Sequence, residues 1–292
     1  MTEPHPPAHS PLRGGGEMDD AGALPPNPRA EDVGRAPPSP TEKRGNGELA
    51  AARAAADRVG WTMRSAQVER FARLRDLLIA GNAEMNLTAI VDPDAIEILH
   101  FVDSLAGLNA LPAETGISVV DVGTGAGFPG LPMRIARPDI WLTLVDATQK
   151  KVRYLERTVA ALGLADPAAD RGAPVATLCG RIEAIGRERR RRASWDVALL
   201  RSVSSTAVAA EYCLPLVRVG GTVLLWKKAN QAEEIATARG AIRLLGGRPP
   251  ATLRVRLPGL PEDRILVRII KEAPTPERYP RPVGVAAKQP LN

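Results

Sequence analysis

From Asp121 to Gly130 the chain reads Asp-Val-Gly-Thr-Gly-Ala-Gly-Phe-Pro-Gly. The apolar run Ile117–Val122 before it suits a short strand, and the residues after it suit a helix to Ala136. Glycines at such a turn let the backbone approach a ligand closely, and the helix start offers free N–H donors. A second landmark, Asp146, closes the next strand-like run, Ile140–Val145. A carboxylate there can accept both hydroxyls of a ribose, or merely cap the next helix. Together the two features imply a cofactor that contains a nucleoside. Two kinds fit: a dinucleotide with its pyrophosphate on the loop, or S-adenosylmethionine with its methionine part beside it.

Asp121 favours the second, because a carboxylate suits a cationic methionine end and would repel a pyrophosphate. The spacing Asp-x-Gly-x-Gly-x-Gly is also the methyltransferase spelling of such a loop. His100 is the tempting catalyst, with Asp103 and Ser104 three and four residues on and so on its helix face. A lone helical histidine reads first as a hydrogen-bonded structural residue. Its functional alternative is a face that closes over the cofactor or holds the target. The run Arg187-Glu-Arg-Arg-Arg-Arg192 reads as a solvated loop that would add affinity if a polyanion passed nearby. The stretch Arg278-Tyr-Pro-Arg281 could lie on phosphates or be a frayed end.

These residues need elements to hold them. Leu49–Val59 is Ala-rich and helical in propensity. Ser65 can cap a second helix, carrying Val68, Phe71, Leu74, Leu77 and Leu78 at helical spacing and ended by Gly81-Asn82. After the Asn86–Thr88 loop, Asp92-Pro93 starts a third, to Leu108. Strand-like runs then recur at 117–122, 140–145, 175–178, 196–200 and 221–226, separated by helical stretches near 149–162, 182–189, 204–217 and 231–245. This alternation predicts an α/β fold with a parallel sheet and helices on both faces. The last two runs, 252–257 and 264–270, are joined by too few residues for a crossover helix and must be antiparallel. The expected fold is a Rossmann-like methyltransferase fold: a doubly wound sheet ending in an antiparallel hairpin, after a helical N-terminal segment. The expected parts are a disordered Pro-rich tail (1–46), helices (47–110), a methyltransferase domain (111–272) and a basic C-terminal tail (273–292).

Composition bounds the partners. Of 27 prolines, ten lie between Pro4 and Pro40, where no apolar periodicity can offset the entropy of ordering. The first 46 residues carry five Lys/Arg and seven Asp/Glu, a net of −2, which leaves +8 on the rest of a chain whose total is +6. A basic body suggests a polyanionic partner. Cys179 and Cys213 are too isolated for a zinc site or a disulfide framework and read as small buried hydrophobes, and no metal is expected. With no membrane-length apolar run and no signal-like start, a cytoplasmic protein is expected.

Several segments resemble the RsmG (GidB) family, whose members methylate N7 of a guanine in small-subunit ribosomal RNA. They are Asn86-Leu-Thr88, His100-Phe-Val-Asp-Ser-Leu105, the loop with its Phe128-Pro-Gly-Leu-Pro132 continuation, Val145-Asp-Ala-Thr-Gln-Lys-Lys151, Cys213–Val217, Leu225-Trp-Lys-Lys228 and Arg278-Tyr-Pro-Arg281. The resemblance runs from about Val68 to the C-terminus. It implies S-adenosylmethionine as cofactor, with Gly123, Gly125 and Phe128 on the loop side and Asp146, Ala147 and Thr148 on the ribose and adenine side. It further implies Ile182 and Glu183 reading adenine, and Arg201 where cofactor and substrate meet. His100 and Lys227 become candidates for positioning, and Arg278 and Arg281 for contacting RNA. The implied partner is 16S rRNA or a small-subunit particle. Two departures stand out: Arg201 is followed by Ser-Val-Ser where the family commonly has Ala, and residue 228 is Lys where it often has Gly.

The implied chemistry is spare. Methyl transfer from a sulfonium needs alignment more than acid–base help, and guanine N7 has no proton to lose. Methylation of a cytosine carbon would call for a nucleophilic Pro-Cys, and of an adenine amine for an Asn/Asp-Pro-Pro-Tyr/Phe loop after the fourth strand. Neither is present. The competing readings are a small-molecule methyltransferase with the same cofactor domain, which the basic body disfavours, and a non-catalytic RNA-binding relative, which the intact loop and Asp146 disfavour.

Overall fold

The computed structural model describes residues 49–165, 173–201 and 204–291. The expected Pro-rich tail lies outside them. The chain divides into two units, Met1–Glu48 and Leu49–Asn292, and all of the described residues belong to the second.

Among the described residues three helical stretches come first. These are α1 (Ala50–Arg58), α2 (Ser65–Met85) and a composite third that runs α3 (Pro93–Ile96), a π-helical turn (Glu97–Val102) and α4 (Asp103–Leu105). Asp92 caps the third as its sequence suggests, accepting the Ala95 amide at 2.8 Å. Two expectations for α2 are corrected. Its N-cap is Arg64, whose amide donates to Gln67 Oε1 at 2.9 Å, with Ser65 already helical. The helix also runs past Gly81-Asn82 and stops at Asn86, in the left-handed region at φ 51°. Gly81 serves packing, since a Cβ there would collide with the Tyr154 ring.

The described residues form seven strands, β1 (Ser118–Val122), β2 (Trp141–Asp146), β3 (Val175–Cys179), β4 (Trp195–Arg201), β5 (Val217–Lys228), β6 (Ala251–Val255) and β7 (Arg264–Ile270). They form one sheet in the order β3-β2-β1-β4-β5-β7-β6. The first five are parallel, and β7 runs antiparallel between β5 and β6. Alternation along each strand feeds two cores. Val119, Leu144, Leu199 and Trp226 face the N-terminal helices, whereas Val120, Val145, Leu200 and Leu225 face the opposite layer. β5 starts at Val217, earlier than expected, because a register shift opposite Trp195 and Val197 carries the strand through a bulge before Thr222. The chain order reverses between β1 and β4, so the carboxyl ends of these strands open a crevice.

Two side-chain expectations also change. Cys213 is buried, but Cys179 is exposed at the end of β3. The arginine run is no solvated loop throughout. Arg187 Nε donates to the Pro280 carbonyl at 2.7 Å, and Arg192 donates to the carbonyls of Tyr279 at 2.7 Å and Thr275 at 2.6 Å. The C-terminal segment is thereby strapped to the body. Among the described residues no helix is long and apolar enough to cross a membrane.

Candidate cofactor site

At the carboxyl end of β1 the loop turns through Gly123 and Gly125 at φ 65° and 60°, where a side chain would be strained. A Cβ on Gly125 would meet nothing within 4 Å, so this side of the loop is open. A Cβ on Gly130 would lie 2.7 Å from Asp121 Oδ2, so that glycine is needed for the close turn over Asp121.

Asp121 is fully buried, and its Oδ2 accepts Thr124 Oγ1 at 2.6 Å and the Gly130 amide at 2.8 Å. Among the described residues its Oδ1 has no hydrogen-bond partner. Burial pushes this carboxyl up to about 6, against the Thr124 and Gly130 bonds and the positive charge of Arg201, with the charge of Asp146 adding to the rise. A buried acceptor left unmatched by the described residues fits a ligand with a cationic group.

Asp146, at the end of β2, accepts the Gly125 amide on Oδ2 at 3.2 Å and the Thr148 amide on Oδ1 at 2.8 Å. It therefore ties the glycine loop to the start of the helix Gln149–Ala161 while each oxygen keeps a free lone pair. Ala147 and Thr148 beside it are exposed. The Gly180 amide donates to the Asp146 carbonyl at 3.1 Å, which brings the turn before Ile182 to the same edge. Ile182 packs on the second core, and buried Glu183 accepts the Gly284 amide at 2.9 Å.

The carboxyl end of β4 meets the third helix. His100 stacks on Phe128, with ring centroids 4.5 Å apart and planes at 8°, and the Arg201 guanidinium lies 5.5 Å from the centre of the Phe128 ring. Arg201 donates to Asp103 Oδ2 at 3.0 Å, to the Leu99 carbonyl at 3.2 Å and to His100 Nδ1 at 3.2 Å. A guanidinium only donates, so Nδ1 accepts and Nε2 carries the proton, which it donates to Thr88 Oγ1 at 3.0 Å. Burial, with the positive charge of Arg201 beside it, pushes His100 down to about 3. The ring is thus neutral at physiological pH with both nitrogens engaged. Lys227 is likewise committed: Nζ donates to the Ser204 carbonyl at 2.6 Å and pairs with Glu234 at 3.4 Å, holding the loop after β4.

Loop, Asp146, Phe128, Arg201 and His100 thus converge at one sheet edge. The expected RNA contacts do not join them in the same way. Arg281 is taken up by Glu211, at 2.7 Å, and Arg278 stacks on Tyr279 at 5.2 Å. Missed from sequence was Arg264, which reaches Asp103 Oδ1 at 2.5 Å from 161 residues away. No local pattern signals such a pair.

The strand order with its antiparallel β7, the glycine loop after β1 and the carboxylate after β2 define the class of Rossmann-like methyltransferases, whose cofactor is S-adenosylmethionine. The family model "GidB: rRNA small subunit methyltransferase G" matches residues 67–256. Proteins named ribosomal RNA small subunit methyltransferase G are similar at 43% identity over 226 residues in Roseiflexus sp. (strain RS-1), covering 77% of this chain and 92% of that one. The Symbiobacterium thermophilum protein of that name is 44% identical over 216 residues, covering 74% and 87%. A variant of the 16S rRNA adenine-N1 methyltransferase of Catenulisporales acidiphilia aligns in structure with a TM-score of 0.43 and 16% identity, over 56% of this chain and 89% of that one. The chain belongs to the rRNA small subunit methyltransferase G family.

Proposed function

We propose that this protein transfers the methyl group of S-adenosylmethionine to N7 of a guanine in 16S rRNA. The observation that carries the choice of atom is the state of His100, the histidine at this edge. Its Nδ1 is occupied by Arg201, its Nε2 proton points to Thr88, and its basicity is suppressed. A site whose histidine is not free to take a proton, and whose Asp121 carboxylate answers the cofactor's cationic end, suits a nucleophile that already offers a lone pair.

When bound, S-adenosylmethionine supplies a methyl group on a positively charged sulfur. Asp121 faces its cationic end, Asp146 takes the ribose hydroxyls, and Gly123 and Gly125 leave room for the chain between them. Phe128 and Arg201 close the loop side, while Ala147, Thr148, Ile182 and Glu183 flank the adenine. The basic body, with Arg278 at its surface, supplies attraction for RNA phosphates, and Arg281 contributes by holding the C-terminal segment in place. Among the described residues no cluster of His, Cys, Asp and Glu suits a metal ion. In this reading the protein works by alignment.

Single-turnover methylation of 16S rRNA between about pH 5.5 and 8.5, with S-adenosylmethionine saturating at every pH, tests the reading. Wild type should show no rate limb in the imidazole range, and His100→Gln should slow the reaction by roughly tenfold at most, through the lost stack on Phe128. A wild-type limb near the imidazole pKa, together with a folded, cofactor-binding but inert His100→Gln, would overturn it.

A further inference from the structure

We infer that Asp103 is a positioning residue that balances Arg201 against Arg264 and so holds Arg201 over Phe128 and against His100. The inference rests on the proposed methyl transfer only for its rate readout.

Asp103 joins three elements at one buried point. Its Oδ2 takes Arg201 from the end of β4 at 3.0 Å and its Oδ1 takes Arg264 from the start of β7 at 2.5 Å. Its own carbonyl accepts the Trp226 indole N–H from β5 at 2.8 Å. The Asp103 side chain is only 5% exposed, and that of Arg201 10%. Two guanidiniums thus share one buried carboxylate, the Arg264 side chain being 17% exposed. Removing the carboxylate leaves two like charges facing each other with nothing between them. Arg201 would then be driven from the Leu99 carbonyl and from His100 Nδ1. Phe128, which sits in the glycine loop and has both His100 and Arg201 against its ring, would lose its support. The π-helical turn contributes directly, because it carries His100 and Leu99 and runs into Asp103.

A charge balance differs from simple packing in one respect: the defect is an excess of charge, so removing the opposing cation should mend it. Asp103→Asn keeps shape and removes charge. It should lower the single-turnover rate by about tenfold or more through misplaced Arg201, and weaken S-adenosylmethionine binding. His100, freed from Arg201, should titrate at a higher pH in NMR spectra. Adding Arg264→Gln should recover most of the rate and affinity and return His100 toward its wild-type titration. A wild-type rate and an unmoved His100 in Asp103→Asn would overturn the inference, and so would a double variant no better than the single one. If Asp103→Asn alone does not fold, the double variant is expected to fold, and its failure would also overturn the charge balance. A wild-type protein that leaves 16S rRNA unmethylated would count against the proposed function, while cofactor affinity and the His100 titration would still decide the role of Asp103.

Discussion

Burying a carboxylate with one oxygen unmatched costs free energy, and Asp121 bears that cost at the foot of the glycine loop. With its folded-state value near 6 against an ordinary 3.8, the folded protein holds a proton that the unfolded chain releases. That contribution is fully present below the ordinary carboxylate range and is lost as pH rises through about 6. A cationic cofactor reverses the preference, since it favours the ionised form. Affinity for S-adenosylmethionine should therefore rise about tenfold from pH 5 to pH 7. Asp121→Asn should bind more weakly and with a flat profile, which calorimetry at several pH values would reveal. A flat profile in wild type would place the cationic end elsewhere. Asp121, Asp146 and His100 are legible in the sequence because each lies within or beside a local motif. Arg264 is not, since only the folded sheet brings it to Asp103.

At the scale of elements, the short apolar runs of β1, β4 and β5, separated by helical stretches, announce a parallel sheet covered on both faces, and the short link 258–263 announces the antiparallel end. The end of α2 is harder to read, because glycine breaks helices and also allows close approach. Tyr154 decides the matter, as its ring occupies the space beside Gly81. In an exposed helix Gly→Ala gains about 1 kcal/mol, but overpacking costs about 1–3 kcal/mol. Gly81→Ala should thus destabilise the protein by up to about 2 kcal/mol. Chemical denaturation would measure it, and a stabilised variant would show that Tyr154 yields easily. The π-helical turn has no sequence signature at all; from it Glu97 accepts the Ala52 amide at 2.9 Å and His100 stacks on Phe128.

Taken whole, the molecule relies on its C-terminal strap. Glu211 is fully buried and answered by Arg281, while Arg187 and Arg192 hold the backbone between Thr275 and Pro280. In sequence the arginine run looks like a solvated loop, because its acceptors are carbonyls distant along the chain. Truncation after Ala273 should strand Glu211 and lower the melting temperature by roughly 5–15 °C. Deletion of residues 1–45, whose composition offers little apolar surface to bury, should change it by less than about 2 °C. Equal melting temperatures for the C-terminal truncation and the full chain would make the strap dispensable. The central claim is the identity of the methylated atom, and mass-spectrometric mapping of 16S rRNA from cells with and without this protein tests it most directly. One guanine should carry an N7 methyl group only when the protein is present, and purified protein with S-adenosylmethionine should restore it. Identical maps, or a methyl group found on another atom, would contradict the account.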